Sequence, residues 1–205
     1  MTHTVGAHRL GATSQPHQRR SSHAVLGMWS FLAGDAAMFV ILLLGYLVMR
    51  WRAVDWPDPS LILDIPLAVG MTTSLIFGSV LFAMGTRAMH QKRRSAVCLS
   101  LSLTAVSGIL FLTLQYFEWE QLAEAGVLVA QHPYGAAQFS GLFYIITGFH
   151  GMHVLFGVLL ILVILMGFIR SGQSPRHHDR VRTAGMYWHF VDLVWLFIVW
   201  IVYLS

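Results

Sequence analysis

The chain has 205 residues, of which 56% are hydrophobic and 11% charged, with a mean hydropathy of +0.64. That apolar share exceeds what a soluble fold of this length can hide, so an integral membrane protein is expected. The formal charge of +4 does not argue for nucleic acid, because the basic residues fall in short clusters rather than along one face. The single cysteine, Cys98, excludes a disulfide framework and any Cys-based zinc or iron–sulfur site.

In chain order, residues 1–23 read as a mobile tail, with His3, His8 and His17 set among Gly, Ser, Thr and Gln. Tracts of that composition are solvated, and a metal role for these histidines is the less expected reading. Five apolar runs of spanning length follow, at about 24–49, 65–86, 96–118, 139–169 and 184–204. They are apolar on every face, which excludes the period-two alternation of a barrel strand. The first run is too long for the apolar core of a signal peptide and is expected to remain in the mature chain. Trp56-Pro57-Asp58-Pro59 forbids helix between the first two spans, and Asp64 before Pro66 reads as the cap of the second. His132-Pro133-Tyr134-Gly135 breaks the chain before the fourth.

The expected fold is an all-α bundle of five transmembrane helices over residues 24–205. Arg9, Arg19, Arg20, Arg87, Lys92, Arg93, Arg94, Arg170, Arg176, Arg180 and Arg182 fall on one side of it, and only Arg50 and Arg52 on the other. The positive-inside rule then puts the N-terminus in the cytoplasm and the C-terminus outside.

Polar residues within spans are costly there and face protein or a cavity. Asp35 lies roughly 17 Å into span one at 1.5 Å per residue. At that depth a carboxylate takes up a proton or finds a donor, either as a hydrogen-bonded structural acid or as a proton-exchanging or lipid-contacting group. In span four, His150 and His153 share a helical face by i, i+3 spacing, as do His189 and Asp192 in span five. Starting span five at residue 184 places His189 only about 5–10 Å from the cytoplasmic edge, against roughly 25 Å for His153. The two pairs are then too far apart in depth to ligate one ion, and a single pair falls short of a usual first shell. The expectation is hydrogen bonding between helices and no metal site.

Gly141, Gly148, Gly151 and Gly157 suit close helix packing. Gln115, Glu118 and Glu120 stand at the outer end of span three, where solvation accounts for them. Trp51, Trp56, Trp119, Trp188, Trp200 and Tyr203 read as an interfacial aromatic belt. No P-loop, nucleotide-binding glycine motif, H-E-x-x-H or C-x-x-C-H is present, and no catalytic residue is proposed.

Two long strings carry a resemblance: Phe143-Tyr144-Ile145-Ile146-Thr147-Gly148-Phe149-His150-Gly151-Met152-His153-Val154 and Tyr187-Trp188-His189-Phe190-Val191-Asp192-Leu193-Val194-Trp195. With Gly27-Met28 through Asp35-Ala36-Ala37-Met38-Phe39, Leu63-Asp64-Ile65-Pro66-Leu67 and Leu114-Gln115-Tyr116-Phe117-Glu118-Trp119, they resemble subunit III of haem–copper terminal oxidases, above all bacterial cytochrome c oxidase in its short five-helix form. The resemblance implies a subunit without a redox centre of its own. Haem and copper sit in subunit I, further copper sits in subunit II, and subunit III sustains proton uptake and holds phospholipid. The partners implied are subunits I and II, membrane phospholipid and a larger respiratory supercomplex, in the bacterial inner membrane. Asp35 matches a family acid that is usually glutamate and reacts with carbodiimides. Asp64, Gln115, Glu118, His150, His153, His189 and Asp192 fall to structural or lipid-cleft roles. Relatives that oxidise quinol or accompany nitric oxide reductase are the alternatives within the family, and a small independent carrier or channel is the alternative outside it. The lack of an inverted repeat counts against a carrier.

Overall fold

In the computed structural model the described residues are 16–130, 133, 136–171 and 175–204, with side chains described from residue 25 onward except at 175 and 176. They form α1 (Pro16–Arg52), a single turn α2 (Pro59–Ile62), α3 (Ile65–His90), α4 (Arg94–Glu124), α5 (Ala137–Ser171) and α6 (Pro175–Ile198), whose end widens into a π-turn, Val199–Tyr203. Five of these helices are long and apolar enough to cross a membrane, and no strand occurs among the described residues.

Helix ends follow local chemistry. Asp58 Oδ1 accepts from the hydroxyl (2.8 Å) and backbone N–H (2.9 Å) of Ser60, so α2 opens at Pro59 with its first turn capped. Those two bonds, the hydroxyl's first, hold the Asp58 carboxyl below the usual carboxylate range. Asp64 caps α3 by accepting from Leu67 N at 3.0 Å. The turn between α3 and α4 closes as a Schellman motif: Arg93 N donates to Ala88 O, Lys92 N donates to Met89 O, and Lys92 takes a positive φ of 57°. The end of α4 repeats the motif at Gly126, where φ is 81° and Val127 N donates to Leu122 O.

The linker after Trp56, expected to hold no helix, carries the single turn α2, because proline is excluded from a helix interior but suits its first turn. Helices α3 and α4 run on to His90 and Glu124, past the expected ends, and two starts differ most from the hydropathy reading. Helix α1 begins at Pro16, within the stretch assigned to the tail, while His3, His8 and the side chain of His17 lie outside the described residues, as do His132, Tyr134 and Gly135. Helix α6 begins at Pro175 rather than near 184. The hydropathy window stopped early because Pro175–Thr183 is polar, yet helix continues unbroken wherever its backbone bonds are made internally, in or out of hydrocarbon.

Helices α3, α4, α5 and α6 pack together, and α1 lies against α5 and α6 through one stripe: Leu32, Asp35, Phe39, Leu43 and Tyr46. Lipid offers no hydrophobic drive for helices to associate, so close contact and hydrogen bonding must supply it. Gly78 and Gly85, two turns apart on α3, meet Ser107 and Ser100, two turns apart in antiparallel order on α4. Thr104 Oγ1, between those serines, reaches Gly78 O at 3.3 Å. Trp188 is 2% exposed and sits in a slot bordered by three glycines from three helices. A Cβ would stand 3.3 Å from Trp188 Cζ2 at Gly78, 2.8 Å from Cη2 at Gly108 and 3.1 Å from Cε3 at Gly157. Trp188 therefore belongs to the core and not to an aromatic belt.

Candidate functional site

Asp35 on α1 meets His153 on α5. His153 Nε2 lies 2.9 Å from Oδ2 and 3.1 Å from Oδ1 of the carboxyl, and both side chains are largely buried. The other ring nitrogen, Nδ1, is 2.7 Å from Phe149 O. A carbonyl oxygen only accepts, so Nδ1 carries a proton, and one further proton lies between Nε2 and the carboxyl. The pair is then imidazolium with carboxylate, or neutral imidazole with carboxylic acid. Either way its net charge is zero, which suits burial midway along both spans. The rings of Phe39 and Phe149 flank His153, with centroids at 5.3 and 4.9 Å, and Tyr187 OH donates to His153 O at 3.0 Å. Asp35 thus finds a donor on another helix, a pairing that spacing along one helix could not reveal.

His150, one turn away, is fully buried but differently placed. Its ring packs against Trp195, Phe111 and Phe39, with centroids at 5.1, 5.5 and 6.3 Å, and neither ring nitrogen has a hydrogen-bond partner among the described residues. The expectation of an interhelical hydrogen bond does not hold for this histidine. Aromatic packing positions it instead.

His189 and Asp192 are joined through α3. Ser79 Oγ donates to Asp192 Oδ2 at 2.7 Å, and His189 Nδ1 lies 3.2 Å from the same hydroxyl. Because α6 starts at Pro175, His189 stands midway along the span His177–Tyr203, about 18 Å from its start at 1.5 Å per residue. The shallow placement expected for His189 is corrected accordingly. What separates it from His153 is direction: His153 faces α1, while His189 faces α3 and the ring of Phe82. Among the described residues, no three His, Cys, Asp or Glu side chains could hold a metal ion.

Glu118 and Gln115 are also corrected. Glu118 is 1% exposed rather than solvated, and Tyr203 OH donates to its Oε2 at 2.8 Å. The π-turn at the end of α6 buries Tyr203 in this contact, so Tyr203 leaves the aromatic belt as well. Gln115 Nε2 donates to Thr147 O at 2.7 Å across α4 and α5. Gly151 makes room for it, since a Cβ there would stand 2.7 Å from Gln115 Oε1. Gly148 likewise admits Trp119, whose Cη2 would lie 3.0 Å from such a Cβ, and Gly141 approaches Val129 O. Tyr203→Phe removes the only hydrogen-bond donor to Glu118 among the described residues. Leaving that carboxyl unsatisfied should cost about 1–3 kcal/mol, read as a lower thermal midpoint of the purified protein. An unchanged midpoint would mean that the bond contributes nothing net.

An apolar groove of about 270 Å³ runs between α1 and α6, lined by Phe39, Leu43, Leu47, Phe190, Val194 and Phe197 among others. Its walls offer almost no polar atom, so its chemistry suits a hydrocarbon chain.

The sequence model of the family described as cytochrome c oxidase subunit III matches residues 25–205. The chain is 30% identical to cytochrome c oxidase subunit 3 of Alkalihalophilus pseudofirmus, across 95% of this chain and 93% of that protein. It is 34% identical to the subunit of that name from Synechocystis, across 95% and 83%. It is also similar to cytochrome bo(3) ubiquinol oxidase subunit 3 of Pseudomonas aeruginosa, at 24% identity across 98% and 94%. The match takes in all five spans and both pairs of intramembrane polar side chains, and on that ground the chain belongs to the cytochrome c oxidase subunit III family.

Proposed function

We propose that the chain is the non-catalytic third subunit of a proton-pumping haem–copper oxidase that passes electrons from cytochrome c to oxygen, set in a bacterial inner membrane with its N-terminus in the cytoplasm. The observation that carries this reading is the family match across residues 25–205, whose named relatives at 30% and 34% identity are cytochrome c oxidase subunits. The chemistry of electron transfer belongs to haem and copper in subunits I and II. This chain supports subunit I by packing beside it, keeping a protonatable pair, Asp35 and His153, within the membrane and lodging phospholipid acyl chains in the groove between α1 and α6. Asp64, Gln115, Glu118 and His150 hold the bundle's shape around that pair. The cytoplasmic assignment of one end follows from the basic residues gathered there, Arg87, Lys92, Arg93, Arg94 and Arg170 among them. The Pseudomonas relative gives a second reading, a quinol oxidase subunit, specific support.

The two are separated by purifying the tagged chain in mild detergent and recording the reduced-minus-oxidised spectrum of what accompanies it. A haem a band stoichiometric with the chain supports the cytochrome c reading, and haem b or o without haem a supports the quinol reading. A colourless preparation that shows no haem protein after crosslinking in the membrane overturns both. If Asp35 serves proton uptake, Asp35→Ala in the assembled complex should slow turnover at high pH or shorten the enzyme's active lifetime. Unchanged rate and lifetime would leave Asp35 a structural role alone.

A further inference from the structure

The Ser79–His189–Asp192 cluster lies on the outside of the bundle, on the face where α3 meets α6, with His189 exposed midway along its span. With Asp192 as carboxylate, the cluster's hydrogen bonds run in one direction. Ser79 gives its one proton to Asp192 Oδ2, so its oxygen accepts from His189 Nδ1, and Nδ1 carries the hydrogen. That leaves Nε2 of the neutral ring, on a side chain exposed at the bundle's surface, as an acceptor without a partner among the described residues. Asp192 Oδ1 is a second acceptor without a partner, buried behind it. An exposed acceptor at this depth is costly in hydrocarbon.

We propose that a transmembrane helix of another subunit docks on this α3–α6 face and carries, at mid-depth, a hydroxyl, amide or indole N–H that donates to His189 Nε2. The proposal rests on the reading of the chain as part of a multisubunit oxidase. Depth selects a helix over lipid, because a headgroup stays roughly 15 Å from the centre of a hydrocarbon core about 30 Å thick. Chemistry selects another polypeptide over a second copy. A two-fold contact through this face would set His189 and Asp192 against their own equivalents, acceptor against acceptor. Ile76 and Leu196, 45% and 41% exposed, flank the cluster on the same face, three residues before Ser79 and seven after His189.

The test places a photo-crosslinking amino acid at Ile76 or Leu196, with Val106 on α4 and Val163 on α5 as controls, and irradiates native membranes before extraction. The expected result is an adduct with a different membrane polypeptide from Ile76 and Leu196 and none from Val106 or Val163. Adducts with phospholipid or a second copy alone, or with a partner from the controls alone, overturn the proposal. His189→Leu should reduce the partner retained after extraction about tenfold. His189→Gln, which keeps an acceptor, should reduce it less. Retention unchanged in His189→Leu also overturns the proposal. The oxidase reading fails separately: an adduct partner from a complex without haem supports docking and removes that reading. Copurifying haem with lipid-only adducts does the reverse.

Discussion

Replacing Gly108 with alanine will destabilise the bundle by about 1–3 kcal/mol, and replacing it with leucine will prevent recovery of folded protein. A Cβ at Gly108 would stand 2.5 Å from Val158 Cγ2 and 2.8 Å from Trp188 Cη2. Val158 is held by α5, and the indole is held on its other sides by Gly78 and Gly157, so neither neighbour can retreat without opening another contact. Gly34→Ala and Gly45→Ala are the controls, because nothing lies within 4 Å of a Cβ at either position. Thermal midpoints in one detergent decide the matter. If Gly108→Ala behaves like the controls, the slot yields more readily than its geometry implies.

Breaking the Asp35–His153 pair has the second largest effect. Asp35→Leu leaves His153 Nε2 without a partner, and His153→Leu leaves Asp35 without a donor at mid-span. Removing one member of a buried charged pair costs about 3–5 kcal/mol. A survivor that can change protonation falls at or below the low end of that range. The double variant Asp35→Leu with His153→Leu removes both polar groups and should cost less than the sum of the singles by about 2 kcal/mol. Strict additivity in a denaturant titration of the purified protein would show that the two side chains are neighbours without being coupled.

What could be read from the sequence divides along a physical line. Span number, the cap at Asp64 and the buried carboxyl at Asp35 depend on length, local backbone geometry and the cost of charge in hydrocarbon, all of which act within one segment. Which side of each helix is buried depends on its neighbours. In water, an apolar stripe marks that side. In lipid both sides are apolar, so Trp188 in the core and Trp29, 60% exposed, have the same hydropathy signature. Glu118 and Tyr203 were misplaced for the same reason: their distance along the chain from a span's end suggested water, while the partner that buries each lies on another helix. The legible clue was the glycine pattern. Gly148, Gly151 and Gly157 mark real close approaches, and Gly78 and Gly108 carry the same signal for Trp188.

The indole slot also bears on how the chain is built. Its three glycines lie on α3, α4 and α5, all synthesised before α6, which brings the tryptophan. In the finished bundle these three helices frame a space that only the last one fills, so a chain lacking α6 would leave its centre open. Thr72 and Ser79 of α3, which meet Trp195 and Asp192 of α6, would lose those partners with it. One aromatic ring is thus the piece on which a filled interior between α3, α4 and α5 depends.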